Sequence, residues 1–130
     1  MLKILIVDDE YNSTESLAIG VKRYGYYVDT ANSGEEGLAK LKNTKFDYVL
    51  CDIDMPEMNG WEFASKVYSI YKEIKIIYMT ALLRGKIHTK FSKFPLLIKP
   101  FKLDELITLL KNYRDLQNCK ISVIPNESSN

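Results

Sequence analysis

The sequence predicts a single α/β domain that is built on a parallel β-sheet. Short apolar runs alternate with segments of helical periodicity along the 130-residue chain, which is typical of βαβ units. Four of these runs also end in a polar side chain. Because the carboxyl ends of parallel strands lie along one edge of a sheet, the predicted fold brings these side chains together.

The first half of the chain is predicted to contain three strands and two helices. The strands are expected at residues 3–7, 26–31 and 48–51, where aliphatic, aromatic and β-branched side chains predominate. Asn12 is expected to cap the first helix, with Glu15 completing a capping box, and Gly25 to end it. Ser33 and Glu36 form a second capping box, which begins a helix that runs to about residue 43.

The second half is predicted to complete the sheet with strands at residues 74–79 and 96–98. Two segments with apolar side chains at helical spacing are predicted to be helices. The apolar side chains of the first are Trp61, Phe63, Ala64, Val67, Tyr68 and Tyr71, and those of the second are Leu103, Leu106, Ile107, Leu110 and Tyr113. Residues 82–93 carry few apolar residues at that spacing, so the helix expected there is short or imperfect. Residues 119–130 form a C-terminal tail that ends in a polar segment at residues 126–130 and is expected to be flexible, although residues 121–124 could form an extra strand or pack on the body.

Composition and charge argue against several classes of protein. A chain with 46% hydrophobic and 27% charged residues is typical of soluble globular proteins, and a net charge of +1 gives no general attraction to nucleic acid or to a membrane. No apolar run approaches the ~20 residues that span a bilayer. We find no secretory signal, so we expect a cytoplasmic protein, with Cys51 and Cys119 as reduced thiols and His88 without a metal or catalytic role.

Five side chains at the ends of four strands form the predicted functional site. Asp8 and Asp9 follow the first strand, Asp52 follows the third, Thr80 the fourth and Lys99 the fifth. Three carboxylates, a hydroxyl and an ammonium group at one edge suit a divalent cation and a phosphoryl group. Thr80 can donate a hydrogen bond to an oxygen of that phosphoryl group.

The carboxylates are the expected metal ligands. Clustered carboxylates repel one another unless a cation neutralises them, and hard oxygen ligands suit Mg²⁺. We expect Asp9 and Asp52 to bind Mg²⁺ directly, Asp8 directly or through water, and the backbone carbonyl of Asp54 to complete the set. Asp52 can then act as a nucleophile and form an aspartyl-phosphate, while Lys99 offsets the charge of the transferring oxygens.

These motifs resemble the receiver domain of two-component response regulators. The matching segments are Val7-Asp8-Asp9-Glu10, residues 52–60 (DIDMPEMNG), Met79-Thr80-Ala81 and Lys99-Pro100-Phe101, and the resemblance covers residues 1–118. It implies a (βα)5 flavodoxin-like fold, a three-layer sandwich with a central five-stranded parallel sheet. It also implies a signalling domain rather than an enzyme, with Mg²⁺-dependent phosphorylation of Asp52 by a sensor histidine kinase or a phosphotransfer protein.

The resemblance further implies a switch that is centred on Thr80. It would alter the face formed by the predicted helix at residues 82–93, the fifth strand and the last helix, where a downstream protein target, an output domain or a second copy of the chain would bind. Leu96 stands where the family usually has an aromatic residue, so we expect only a modest change on this face. Nothing after residue 118 resembles a helix-turn-helix, so we expect no direct binding to nucleic acid by this chain.

A haloacid dehalogenase-like phosphatase is the alternative interpretation. Such enzymes also have a strand that ends in Asp-x-Asp, which would make Asp52 the nucleophile and Asp54 the general acid/base. They are expected to place a further acidic pair after the lysine, and the pair found there, Asp104-Glu105, lies at the start of a predicted helix. An acidic pair that precedes Asp52 in the sequence favours the receiver interpretation.

Overall fold

Five parallel strands form one sheet in the order β2-β1-β3-β4-β5. The computed structural model describes residues 1–81 and 94–113. Its elements are β1 (Lys3–Val7), α1 (Tyr11–Lys22), β2 (Tyr27–Ala31), α2 (Gly34–Asn43), β3 (Tyr48–Asp52), α3 (Gly60–Ile70), β4 (Lys75–Thr80), β5 (Leu96–Ile98) and α4 (Leu103–Lys111). Every predicted strand is confirmed to within one residue at each end. The helix predicted at residues 82–93 and the tail at residues 119–130 lie outside the described residues.

Helices cover both faces of the sheet, which confirms the predicted three-layer sandwich. Side chains of α2 and α3, among them Leu41 and Phe63, pack on one face. Side chains of α1 and α4, among them Val21 and Leu106, pack on the other. All five residues of β3 are buried, because this strand lies at the centre of the sheet and both of its faces are covered. No helix in the described part of the chain is long and apolar enough to cross a membrane.

Ser33 is confirmed as the cap of α2, but the predicted capping box is incomplete because the Glu36 carboxylate accepts from the N–H of Asn32 at 2.8 Å instead of that of Ser33. The hydroxyl of Ser33 accepts a hydrogen bond from the N–H of Glu36 at 3.0 Å. Asn59 caps α3 in the same way, since its side-chain oxygen accepts from the N–H of Glu62 at 2.9 Å. These bonds satisfy N–H groups that have no partner inside the first turn of a helix. Gly25 follows α1 with a φ of 94°, a left-handed conformation that glycine adopts without strain.

The capping prediction is wrong for α1. This helix begins at Tyr11, so Asn12 lies inside it, and the N-cap residue Glu10 makes no side-chain capping bond. The carboxylate of Asp8 accepts a hydrogen bond from the N–H of Glu10 at 3.0 Å, and the hydroxyl of Thr14 donates to the carbonyl of Glu10 at 2.7 Å. A carboxylate from the preceding strand end therefore satisfies an N–H group at this helix start.

Two tyrosine hydroxyls fasten α4 and the residues after it to the sheet. Tyr48 donates to the carbonyl of Leu110 at 2.9 Å. Tyr113 donates to the carbonyl of Ile76 at 2.9 Å and accepts from the N–H of the same residue at 3.0 Å. Pairing of β5 with β4 begins at Tyr78, so β5 does not reach Ile76. The Tyr113 hydroxyl takes the place of the missing strand partner.

Strand β2 lies at one edge of the sheet. Tyr27 donates its N–H to the carbonyl of Leu2, just before β1, and the carbonyl of Ala31 accepts from the N–H of Asp8, just after β1. The carbonyl of Thr30, which lies between these two residues, therefore faces away from β1. The ammonium group of Lys40, on α2, donates to this carbonyl. It also forms an ion pair with the carboxylate of Asp29 at 2.9 Å.

Candidate functional site

The ends of four strands bring the five predicted side chains to one edge of the sheet. Asp8, Asp52 and Thr80 are buried, whereas Asp9 is exposed. Lys99 follows β5, and its backbone N–H donates to the carbonyl of Thr80 at 2.8 Å. The positions agree with the prediction because the strands are parallel and their ends are in register, with Asp52 opposite Met79 and Thr80 opposite Ile98.

Lys99 joins two of the carboxylates. Its ammonium nitrogen lies 2.9 Å from Oδ2 of Asp8 and 2.8 Å from Oδ2 of Asp52. The side chains of Asp8 and Asp52 are only 3% and 8% exposed, so water screens these interactions weakly. The two buried negative charges therefore depend on one shared cation.

Burial and charge shift the acid–base properties of this group. Burial raises the pKa of Asp52, although hydrogen bonds from Lys99 and from the backbone N–H of Asp54 lower it. Burial also opposes the charge of Lys99, but its hydrogen bonds to Asp52 and Asp8 outweigh this effect and raise its pKa. Lys99 thus stays protonated at neutral pH, and Asp52 takes up a proton at a higher pH than an exposed aspartate does.

The carboxylates of Asp8, Asp9 and Asp52 fit a small divalent cation. One oxygen from each lies within 4.8 Å of the others. Opposite ligands on an octahedral Mg²⁺ are about 4.2 Å apart, twice the metal–oxygen distance, so small side-chain rotations would bring all three onto one ion. Acidic oxygens are also the ligands that this hard ion prefers.

Sequence reasoning missed the side chain of Asp54. Its carboxylate accepts a hydrogen bond from the Thr80 hydroxyl at 3.3 Å, while its N–H donates to Oδ1 of Asp52 at 2.8 Å. Asp54 therefore links Thr80 to Asp52. The Asp-x-Asp spacing held a signal for this contact, because a residue two positions after a strand end can fold back over it.

Two contacts that the sequence did not reveal hold the backbone of Asp8. The side-chain amide of Asn32 donates to its carbonyl at 3.3 Å, and the hydroxyl of Thr14 lies 3.4 Å from the same oxygen. These groups come from the loop after β2 and from α1. They fix the strand end from which Asp8 and Asp9 project.

Gly60 permits α3 to begin directly against the site. A Cβ atom at this position would lie 2.3 Å from the carbonyl oxygen of Asp52 and 2.6 Å from Cα of Ile53. The N–H of Gly60 donates to the carbonyl of Ile53 at 2.9 Å. Only glycine allows this approach, so packing requires a glycine at position 60.

Leu96 is buried at the position where the family resemblance implies an aromatic residue. Its register partner on β4 is Tyr78, which has Trp61 at 4.6 Å and Phe94 at 5.9 Å between ring centroids. Tyr68 lies 5.5 Å from Phe94. A row of four aromatic rings thus runs beside Leu96, and the sequence alone did not place Tyr78 at its centre.

The acidic pair on which the phosphatase alternative depends does not join the site. The carboxylate of Glu105 accepts a hydrogen bond from the backbone N–H of Lys102 at 2.7 Å, at the start of α4. Asp104 is exposed in the first turn of the same helix. Both positions are ordinary ones for acidic residues at a helix N-terminus.

Comparison with known proteins finds one family. Residues 4–111 match the model of the response regulator receiver domain. The transcriptional regulatory protein CusR of Escherichia coli (strain K12) is 32% identical over 115 residues, which cover 85% of this chain and 50% of that protein. The transcriptional regulatory protein ZraR of Klebsiella oxytoca is 35% identical over 108 residues, which cover 79% and 24%. The chain spans half or less of the length of these curated relatives.

Solved structures share the fold over most of the chain. The chemotaxis protein CheY4 of Vibrio cholerae superposes with a TM-score of 0.80 at 32% identity, covering 87% of this chain and 98% of that one. The response regulator TrrA of Thermotoga maritima, solved in complex with Mg²⁺ and BeF, gives a TM-score of 0.78 at 36% identity, with coverage of 87% and 99%. TrrA was also solved in complex with the histidine kinase ThkA, with a TM-score of 0.77.

Proposed function

The chain belongs to the family of response regulator receiver domains, and from this premise we propose that Asp52 is the phosphoacceptor of a phosphorylation-dependent signalling switch. The observation that carries the proposal is the surroundings of its carboxylate. It lies at the end of β3, within 4.8 Å of carboxylate oxygens of Asp8 and Asp9 and 2.8 Å from the Lys99 ammonium group. A nucleophile with an adjacent cation suits attack on a phosphoryl group.

The donor in this proposal is a phosphorylated histidine of a sensor kinase or of a phosphotransfer protein. A carboxylate oxygen of Asp52 attacks the phosphorus, and the phosphorus–nitrogen bond breaks. The electron pair of that bond stays on the imidazole of the donor, and Asp52 becomes an acyl phosphate. Lys99 already donates to Oδ2 of Asp52, so a short movement lets it donate to a phosphoryl oxygen instead.

Asp8, Asp9 and Asp52 would hold Mg²⁺, with the carbonyl of Asp54 as a further ligand. When bound, the ion supplies positive charge that offsets the negative charge of the phosphoryl oxygens. The complex of the similar protein TrrA with Mg²⁺ and BeF supports this assignment. After transfer, the hydroxyl of Thr80 would leave the carboxylate of Asp54, to which its bond is long at 3.3 Å, and donate to a phosphoryl oxygen.

The relatives guide the proposal for partners. The complex of TrrA with ThkA supports a histidine kinase as the donor, and CusR and ZraR are longer transcriptional regulators. We infer that residues 1–118 act as a cytoplasmic receiver domain followed by a tail at residues 119–130. The domain would signal to a downstream protein, an output domain or a second copy of itself through the face that includes β5 and α4. Leu96, which is buried in β5, is still predicted to limit the size of the change at that face. Hydrogen exchange of β5 with and without beryllofluoride measures this change.

The test is intact-mass measurement after incubation with acetyl phosphate and Mg²⁺. The parent protein and Asp104→Asn, which removes an exposed carboxylate away from the site, should each gain one phosphoryl group. Asp52→Asn keeps the shape of the side chain but removes the nucleophile, so it should gain none. An equal adduct in Asp52→Asn would refute the assignment.

A further inference from the structure

A cleft of about 750 Å³ opens at the edge of the sheet opposite Asp52. It lies between the C-terminal ends of α2 and α3 and the starts of β3 and β4. The apolar side chains of Phe46 and Ile74, which are 2% and 9% exposed, close its base. Ile70 is 63% exposed and Tyr71 is half-buried beside it, so the cleft offers apolar surface to a ligand.

Lysines surround this apolar surface. They are Lys42, Lys45, Lys72 and Lys75. Within residues 1–81 and 94–113, none of them has a carboxylate oxygen within 4.0 Å, because the ion pairs found there involve Lys40 and Lys99. The lining also includes Asp47, whose carboxylate accepts the N–H of Lys3 at 2.8 Å, and Glu73. The ammonium nitrogen of Lys75 lies 5.6 Å from the ring centroid of Tyr48, which packs on the face of the sheet that α1 and α4 cover. The ammonium groups of Lys42, Lys45 and Lys72 therefore remain beside two carboxylates.

This concentration of positive charge is local. The chain as a whole carries a net charge of +1, and the carboxylates of Asp8, Asp9, Asp52 and Asp54 collect at the other edge of the sheet. Among the residues that the structure describes, positive charge therefore predominates at the edge with the cleft and carboxylates collect at the other. An acidic ligand is attracted to the edge that contains the cleft.

We propose that the cleft is a docking site for an acidic peptide segment of a partner protein. One bulky apolar side chain of the segment would pack on Ile70 and Tyr71, and flanking carboxylates would pair with Lys42, Lys45 and Lys72. The apolar contact supplies an anchor, and the charges supply orientation and a fast association rate. A short peptide in this cleft would bury less area than the interface of a permanent complex does, so we expect a transient complex.

The cleft and the carboxylate site are too far apart for direct contact. Asp47, in the lining, is five residues from Asp52 along β3, which corresponds to roughly 16 Å at the rise of an extended strand. Docking is therefore expected to proceed equally well in Asp52→Asn. This separates a failure of the docking proposal from a failure of the phosphoacceptor proposal.

The probe is a labelled synthetic peptide with four glutamates around one tryptophan and one leucine. Its binding is measured by fluorescence anisotropy. We expect Lys45→Glu/Lys72→Glu to weaken binding at least tenfold, since two attractions become repulsions. Lys22→Glu/Lys66→Glu makes the same change in net charge outside the cleft and should keep the parental affinity to within about twofold. Ile70→Ser, at a largely exposed position, should weaken binding without unfolding the domain.

The remaining outcomes decide against the proposal. Equal loss of affinity in the two double variants would show a general charge effect, and equal binding of a glutamine version of the peptide would show that charge plays no part. Amide chemical shifts that move at the Asp8 edge instead of residues 41–47 and 70–75 would place the peptide elsewhere. Sedimentation with phosphatidylserine vesicles in the absence of peptide binding would make the ligand a membrane surface and overturn the peptide assignment.

Discussion

Replacing Lys99 by methionine should make the stability of the domain depend on Mg²⁺. Methionine keeps most of the apolar stem of lysine but removes the charge that Asp8 and Asp52 share at 2.9 and 2.8 Å. Removing one partner of a buried ion pair typically costs about 3–5 kcal/mol. The low end of this range applies to Lys99→Met, because Lys99 is 26% exposed and because one of the two carboxylates can take up a proton when the lysine is absent. We therefore expect a loss of about 3 kcal/mol at neutral pH without Mg²⁺.

Urea denaturation measures this loss. With a denaturant slope of about 2 kcal/mol per molar, the midpoint of Lys99→Met should fall by about 1.5 M in EDTA. Millimolar Mg²⁺ should recover much of it, because the ion replaces the missing positive charge between the carboxylates. Lys102→Met removes an exposed charge three residues away and should leave the midpoint nearly unchanged.

Acid should also reduce the difference between Lys99→Met and the parent. Burial already raises the pKa of Asp52, and loss of the lysine raises it further. The folded variant then binds a proton more tightly than the unfolded chain, so its stability improves as the pH falls through the folded-state pKa toward that of an exposed aspartate. If Lys99→Met has the parental midpoint in EDTA at neutral pH, or if Mg²⁺ gives no recovery, the shared-cation argument is wrong.

Three further substitutions test the site and its supports. Asp9→Asn should abolish most of the Mg²⁺-dependent rise in melting temperature and slightly raise stability without the ion, and a rise equal to that of the parent would exclude Asp9 as a ligand. Gly60→Ala should destabilise the domain by about 1–3 kcal/mol, since its Cβ would meet the carbonyl of Asp52 at 2.3 Å, and an unchanged urea midpoint would contradict this. Tyr113→Phe leaves both the N–H and the carbonyl of Ile76 without their partner, so it should cost about 2–3 kcal/mol in urea denaturation, while Tyr24→Phe on the surface should not.

The strands and the proximity of the site residues could be predicted from the sequence, because both follow from short apolar runs and the polar residues that end them. A strand that is buried on both faces needs an unbroken apolar run, so β1, β3 and β4 are visible as such runs. A polar residue that ends each run then lies at a known edge, which placed Asp52, Thr80 and Lys99 near one another. The fold therefore followed from the apolar runs, and the proximity of the site residues followed from the fold.

The contacts that refine the site and the fold join different elements, and these contacts were not predictable from the residues of one element alone. The sequence predicts Asn12 as the cap of α1, but the helix begins at Tyr11 with Glu10 as its N-cap residue. Glu10 makes no side-chain capping bond, and the carboxylate of Asp8 accepts its N–H instead. The role of Tyr113 depends on β5 stopping short of Ile76, which no feature of residues 96–113 reveals. Propensity scales score single residues, whereas these contacts join different elements.

The contact of Lys40 with strand β2 has a consequence for behaviour at high concentration. An uncovered edge strand is a template on which another molecule can add a strand, and such addition leads to aggregation. On β2, an incoming strand would have to displace the ammonium group from the carbonyl of Thr30 and break its ion pair with Asp29. A half-buried, charged lysine at that point therefore discourages intermolecular extension of the sheet at β2.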